Sequence, residues 1–242
     1  MSIGSFGARA LVVAAVTAGI LGGISTPTQA SMPAGLGVQA ETATQTGTNL
    51  EVKGTYSCGR STKLRIRVEA ASGDSVSGSF EDTLPCPGPG ASFTAPVPLT
   101  EPVASTLRIT VTLTGLNSRQ IIASSLGKFA VSSGVYEALL LDSATVTDDG
   151  TATMKGRIRC QTDGGTRTLT GLMTYTGKPR ASKPIKDITV DCPATAGAEG
   201  TWTFSGTAAV GTFRPGEFLI GVGFEKPESP GGYSLMARPT FS

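Results

Sequence analysis

The chain repeats itself, and the repeat carries its cysteines. Residues 47–58 read GTNLEVKGTYSC and residues 150–160 read GTATMKGRIRC, matching at Gly-Thr, Lys-Gly and the closing Cys with one residue of difference in length. Upstream, VQAETATQTG mirrors LDSATVTDDG, and each copy carries a second Cys followed by Pro, Cys86-Pro87 and Cys192-Pro193. The two cysteine separations are 28 and 32 residues. A chain of 242 residues made of two units of about 100 residues each predicts two small domains. The division expected from the repeat is a flexible N-terminal segment at 31–37, a first unit at 38–133, a linker at 134–139 and a second unit at 140–242. Residues 135–141 (VYEALLL) fit a short helical turn and the start of a strand equally well.

Inside each unit the apolar residues recur every second position. Leu64, Ile66 and Val68 alternate with Lys63, Arg65 and Arg67, and Leu107, Ile109, Val111 and Leu113 alternate with Arg108, Thr110 and Thr112. In the second unit Ile188, Val190 and Cys192 share one phase, as do Phe218, Ile220, Val222 and Phe224, with Trp202 and Phe204 forming a shorter row. Such alternation marks strands with one face on a core and one in water. Asp-Gly, Gly-Gly and Pro-rich stretches punctuate them. Roughly seven short strands per unit predict an all-β fold: two tandem immunoglobulin-like antiparallel β-sandwiches.

The cysteines fit this plan. Cys58 closes the inward row Val52, Gly54, Tyr56, and Cys160 closes Met154, Gly156, Ile158, so both end second strands. Their partners fall at or just past the ends of fourth strands, which lie at the same edge in an antiparallel succession. The expected bridges are therefore Cys58–Cys86 and Cys160–Cys192, each contributing roughly 3.5 kcal/mol on the chain-entropy model. A metal held by all four thiolates is disfavoured, because the pairs belong to separate copies. The antibody pattern of a much longer bridged interval over a third-strand Trp is absent.

Composition narrows the function. The chain has no His, so a Ser-His-Asp or Cys-His catalytic set and any imidazole metal site are excluded. Lys plus Arg is 20 against 18 for Asp plus Glu, too even for a nucleic-acid binder driven by bulk charge. The first thirty residues read as an address: Arg9, an apolar run at 10–24 broken by Gly19, Gly22 and Gly23, then small residues at Thr28-Gln29-Ala30. A secretory signal cleaved after Ala30 fits better than a membrane span, which needs about 20 apolar residues. With no Cys before Cys58 and no apolar tail, the expected product is secreted and extracellular, with no membrane anchor.

The run SATVTDDGTATMKGRIRC, with Cys192-Pro193 and the late row FLIGVGF, resembles small exported Ig-like domains of actinobacterial proteins, which belong to families of unknown function. The first unit is similar through VQAETATQTGTNLEVKGTYSC and Cys86-Pro87-Gly88. The resemblance covers nearly all of the mature chain, although single copies are the usual arrangement. It implies a secreted β-sandwich and transfers no catalytic residue.

Several residue sets invite chemistry. Glu81-Asp82 and Asp148-Asp149 are acidic pairs, but neighbouring carboxylates on a strand point to opposite faces, and Asp149-Gly150 reads as a hairpin turn. Asp142, Asp148 and Asp149 are the calcium candidates, without any twelve-residue loop. No motif sets a Ser beside a Lys for acyl transfer. Two period-two basic rows, Lys63, Arg65, Arg67 and Lys155, Arg157, Arg159, each gather three cations within about 14 Å, enough to attract an anionic wall polymer. The bland reading is a solvated strand face that discourages aggregation. Tyr233 is the best exposed aromatic for a sugar. The resulting expectation is a non-catalytic binding or structural protein of the extracellular or envelope space, without metal or cofactor, whose partner is an anionic wall polymer or an extracellular protein. Its contacts would lie on strand faces or the loops at 85–102 and 226–232. The alternatives are a carboxylate hydrolase working without histidine and a proteinaceous inhibitor presenting the loop after Cys86 (PGPGA).

Overall fold

The computed structural model describes residues 33–59, 63–73, 75–116, 120–160, 164–224 and 234–242. The expected signal at 1–30, the loop at 226–232 and Tyr233 lie outside the described residues. Those described fold entirely as strands and their connections, and no helix among them is long and apolar enough to cross a membrane. The first half forms β1 (Gly35–Thr46), β2 (Asn49–Cys58), β3 (Lys63–Ser72), β4 (Ser75–Pro85), β5 (Ala91–Pro98), β6 (Thr106–Gly115) and β7 (Ile121–Ala130). The second forms β8 (Val135–Val146), β9 (Thr151–Arg159), β10 (Gly165–Tyr175), β11 (Ala181–Cys192), β12 (Glu199–Thr207), β13 (Gly216–Phe224) and β14 (Ser234–Phe241).

The pairing repeats strand for strand. β1–β2–β5 form one antiparallel layer of the first half and β4–β3–β6–β7 the other; β8–β9–β12 and β11–β10–β13–β14 do the same in the second. Each half is thus an immunoglobulin-like sandwich of three strands on four, with the alternating apolar residues turned between the layers. Leu64, Ile66 and Val68 meet Leu107, Ile109, Val111 and Leu113 in the first core; Met154, Ile158, Leu169, Trp202 and Phe218 lie in the second.

Cys58 bridges Cys86 and Cys160 bridges Cys192, each with Cα atoms 5.7 Å apart. Each bridge ties the second strand of the three-stranded layer to the edge strand of the four-stranded layer. An antibody bridge joins the centres of both layers; these staple one edge and leave the core to apolar side chains.

The expected linker at 134–139 is not one. Residues 131–134 make a tight turn after β7, and Val135 opens β8 at once, so VYEALLL is strand. Gly35–Gly37, expected in a flexible segment, likewise begin β1. The physical reason is burial on both faces. Tyr136, Ala138 and Leu140 enter the first core, while Leu139 and Leu141 enter the second. A strand covered on both sides reads as a continuous apolar run rather than an alternating one.

The halves also share a sheet. β14 pairs with β7 as Ser234↔Leu126, Leu235↔Ser125 and Met236↔Ser124, joining both four-stranded layers into one eight-stranded sheet, β4–β3–β6–β7–β14–β13–β10–β11. Ser125 and Leu235 are equivalent positions, since each faces the same residue of its row, Val111 and Val222. An antiparallel pair centred on equivalent residues is a local two-fold. The flanking pairs obey it too: β7 with β8 at Lys128↔Glu137, and β14 with β1 at Arg238↔Leu36. We predict that Leu140→Ala, which empties a site in the first core from a strand of the second half, costs about 2–4 kcal/mol. Both halves should still melt in one transition, which calorimetry reads.

Candidate functional site

Charged side chains gather in two places, the outer face of β3 and the seam between the halves. On β3, Lys63, Arg65 and Arg67 point away from the core because Leu64, Ile66 and Val68 point into it. Lys63 and Arg67 are exposed and Arg65 is partly so. Arg65 Nε lies 3.3 Å from Glu81 Oε1 on β4, and Arg67 Nη2 lies 2.6 Å from Glu69 Oε1 on its own strand. Both pairs are open to water, where such contacts contribute at most about 1 kcal/mol. The neighbouring outward positions on β6 are Thr110, Thr112 and Thr114, which add no charge.

The second row is divided. Lys155 is exposed, but Arg157 and Arg159 are spent in the seam. Arg157 holds Asp142 in a fork, Nε to Oδ2 at 2.9 Å and Nη2 to Oδ1 at 3.1 Å, and donates through Nη1 to Glu199 Oε2 at 2.6 Å. Arg159 donates to Glu199 Oε1 at 2.9 Å and reaches across the seam to the backbone carbonyl of Glu41. The two rows therefore do not form one surface.

The bulges explain why acids meet here. β1 slips register between Ala40 and Thr42 and β8 between Leu141 and Ser143, at equivalent positions, which makes Glu41 and Asp142 the extra residues. Each is bonded from the same place on the next strand: Thr55 Oγ1 donates to Glu41 Oε1 at 2.8 Å, as Arg157 does to Asp142. The amides freed by the slips are capped. Ser125 Oγ accepts from Ala40 N at 3.3 Å, and Gln39 Oε1 accepts from Leu141 N at 3.1 Å across the seam.

Burial pushes the Glu41 carboxyl above its ordinary value, against the Thr55 hydrogen bond and the attraction of Arg159 and Arg157. For Glu199 burial works in the same direction, but the hydrogen bonds from Arg159 and Arg157 outweigh it and hold the carboxyl below its ordinary range. All four carboxylate oxygens of Asp142 and Glu199 accept from guanidinium groups. That arrangement ties β8, β9 and β12 of the second half to one another and leaves neither acid an uncommitted oxygen to present to a substrate.

The remaining candidates are dispersed. Glu81 faces Arg65, while the Asp82 carboxylate accepts from Thr83 N at 2.7 Å. Asp149 caps the β8–β9 turn, accepting from Thr147 Oγ1 at 2.6 Å and Thr151 N at 2.9 Å; the Thr147 bond, then that of Thr151, lowers its carboxyl. Gly150 there has φ 79°, the left-handed conformation the turn needs. Among the described residues no three Asp, Glu or Cys side chains converge as metal ligands. Trp202 and Phe204 are buried. The PGPGA loop stands beside the Cys86 bridge with Pro87 and Pro89 exposed.

Residue reasoning missed one feature. β11 carries an extra residue opposite Leu169–Gly171, and Asp187 takes it up at φ 55°, beside a hollow of about 470 Å³ lined by Thr170, Gly171, Ile185 and Lys186. The signal was the three-residue spacing from inward Ile185 to Ile188, which a period-two strand reaches only through a bulge.

No family model matches the chain, and no curated protein matches it. One solved structure to which it is similar is the calcium binding domain CBD12 of CALX1.1, at 11% identity over 75% of this chain and 77% of that one, with a TM-score of 0.18. A score that low transfers neither fold nor calcium site.

The Glu199 clamp yields a pH test. A carboxyl held below its unfolded value adds stability that is present above that value and is lost as pH falls through the folded one. Glu199→Gln should cost about 1–2 kcal/mol at pH 7, discounted for partial exposure. The penalty should shrink as pH falls below the ordinary carboxylate range and the Glu199 carboxyl of the folded protein takes up its proton. Thermal unfolding of both proteins across that range checks it.

Proposed function

We propose that the chain is a secreted, non-catalytic binding protein of the extracellular or envelope space, and that it grips an anionic polymer through the outer face of β3. The observation that carries this reading is the basic row Lys63, Arg65, Arg67 on an open sheet face, where the positions of the next strand beside Arg65 and Arg67 are Thr114 and Thr112. Period-two placement sets the three cations about 7 Å apart along one line, a spacing suited to a repeating anion. Two disulfides in a chain of this size fit an oxidising compartment. The export signal expected at 1–30 and the resemblance to small exported Ig-like domains point the same way. A rigid two-sandwich body in which Asp142 and Glu199 are already bonded to arginines suits binding better than acid–base chemistry.

The repeat supplies its own control. From the strand registers, Lys63, Arg65 and Arg67 correspond to Thr166, Thr168 and Thr170 on β10. A triple variant Lys63→Thr, Arg65→Thr, Arg67→Thr therefore installs residues that the same fold already accepts. Long-chain polyphosphate, as probe, should bind the native protein at low salt and weaken as salt rises. The triple variant should bind about tenfold or more weakly, at roughly 1 kcal/mol per cation less what Glu69 and Glu81 already offset. Absence of binding at low salt, or equal binding by the variant, refutes the proposal.

A further inference from the structure

The same outer face holds two more cations that the basic row does not include. Arg108 on β6 and Lys128 on β7 stand directly opposite each other in the antiparallel ladder. Like charges in that relation repel, and a strand pair gains nothing from them unless a counter-charge sits between. Glu137 on β8 flanks Lys128 on its far side, so that cation has an acid beside it. Arg108 has no ion pair or hydrogen bond among the described residues. Its cross-strand neighbour on the other side is Ala71, which leaves space instead of charge.

That space is a small pocket. Ala71, Gly73, Thr106, Arg108 and Lys128 line a hollow of about 130 Å³ open to solvent. Two basic residues and a threonine around a concavity of that size have the chemistry of an oxyanion subsite. The planar guanidinium supplies paired donors and the ammonium a point charge. The equivalent positions in the second half are Leu219 and Arg238, and there Glu217 lies 3.8 Å from the arginine. The second copy has therefore lost one cation and balanced the other.

The pocket and the basic row lie on one diagonal. Lys63, Arg65 and Arg67 run down β3 toward Ala71, Arg108 sits beside Ala71 one strand over, and Lys128 one strand further. Eight residues of strand rise and two strand spacings place Lys63 and Lys128 about 29 Å apart. We infer that the Arg108–Lys128 pocket is an oxyanion subsite that holds one anionic group of a linear polyanion whose chain continues along β3 to Lys63. The inference rests on the polymer reading above and names a second, separable contact for it.

Two probes separate the contacts: inorganic triphosphate, too short to span the diagonal, and long-chain polyphosphate. Triphosphate should raise the melting temperature of the native protein and of the Lys63→Thr, Arg65→Thr, Arg67→Thr variant alike, and that of Arg108→Thr at least fivefold less. Long-chain polyphosphate should bind about fivefold more weakly to Arg108→Thr, with Arg108→Lys recovering part of the loss. If Arg108→Thr binds both probes as the native protein does while the triple variant is weakened, the subsite is refuted and the β3 proposal stands. If Arg108→Thr alone loses binding, the pocket acts without the row and the diagonal is refuted. If neither probe binds at low salt, both proposals fail. Circular dichroism of each variant confirms that the sheet is intact before binding is read.

Discussion

The antiparallel contact of β7 with β14 organises the molecule. Left alone, each half would end its four-stranded layer on an edge strand with unpaired amides, an invitation to pair with another chain. The repeat supplies the partner internally: the last strand of one copy pairs with the last strand of the other, about the Ser125–Leu235 position. Once that contact forms, β1 and β8 are pressed together behind it. The side chains of Val135 to Leu141 on β8 then have no water on either face, and the two cores become neighbours through a single layer of backbone.

This arrangement explains why the seam contains buried polar groups. Gln39, Ser125 and Glu137 are each at most 4% exposed. An apolar seam would tolerate sliding by a residue pair, whereas these groups have partners only in one register. The Gln39 bond to Leu141 N and the Arg159 bond to the Glu41 carbonyl both cross the seam. Buried ion pairs return little net stability after desolvation. The two bonds that cross the seam define how the halves fit, and each meets the backbone at or beside a bulge.

The strands and disulfides were legible because they depend on local alternation and on the repeat. Leu64-Ile66-Val68 and Phe218-Ile220-Val222 behave as half-buried strands must, and each cysteine closes an inward row. The seam was not legible, for a physical reason. Its residues answer to contacts about 100 positions away, and a doubly buried strand such as VYEALLL loses the alternation that identifies strands. The same blindness applied to Arg157 and Arg159, which alternate on β9 like a solvated row but meet Asp142 and Glu199 from other strands. Spacing along one strand says which face a cation occupies and is silent about what faces it.

The two copies share a backbone plan and have divided the polar work. At positions where β9 carries Arg157 and Arg159, β2 carries Thr55 and Ser57; where β3 carries Lys63, Arg65 and Arg67, β10 carries three threonines. At these positions the second copy therefore commits Arg157 and Arg159 to Asp142 and Glu199, and the first displays its cations outside. A duplicated fold permits this because the local two-fold gives each face a counterpart that need not be charged for the sheet to form. Threonine suits a strand face as well as arginine does, so strand formation alone does not account for the charge on β3. That charge also repels other basic edges, but Arg108 and Lys128 are on β6 and β7, interior strands of the eight-stranded sheet, where no edge needs protecting. Glu137 stands beside Lys128, but Arg108 has no ion pair or hydrogen bond among the described residues, which makes an anionic partner the simpler account of why a second cation stands there.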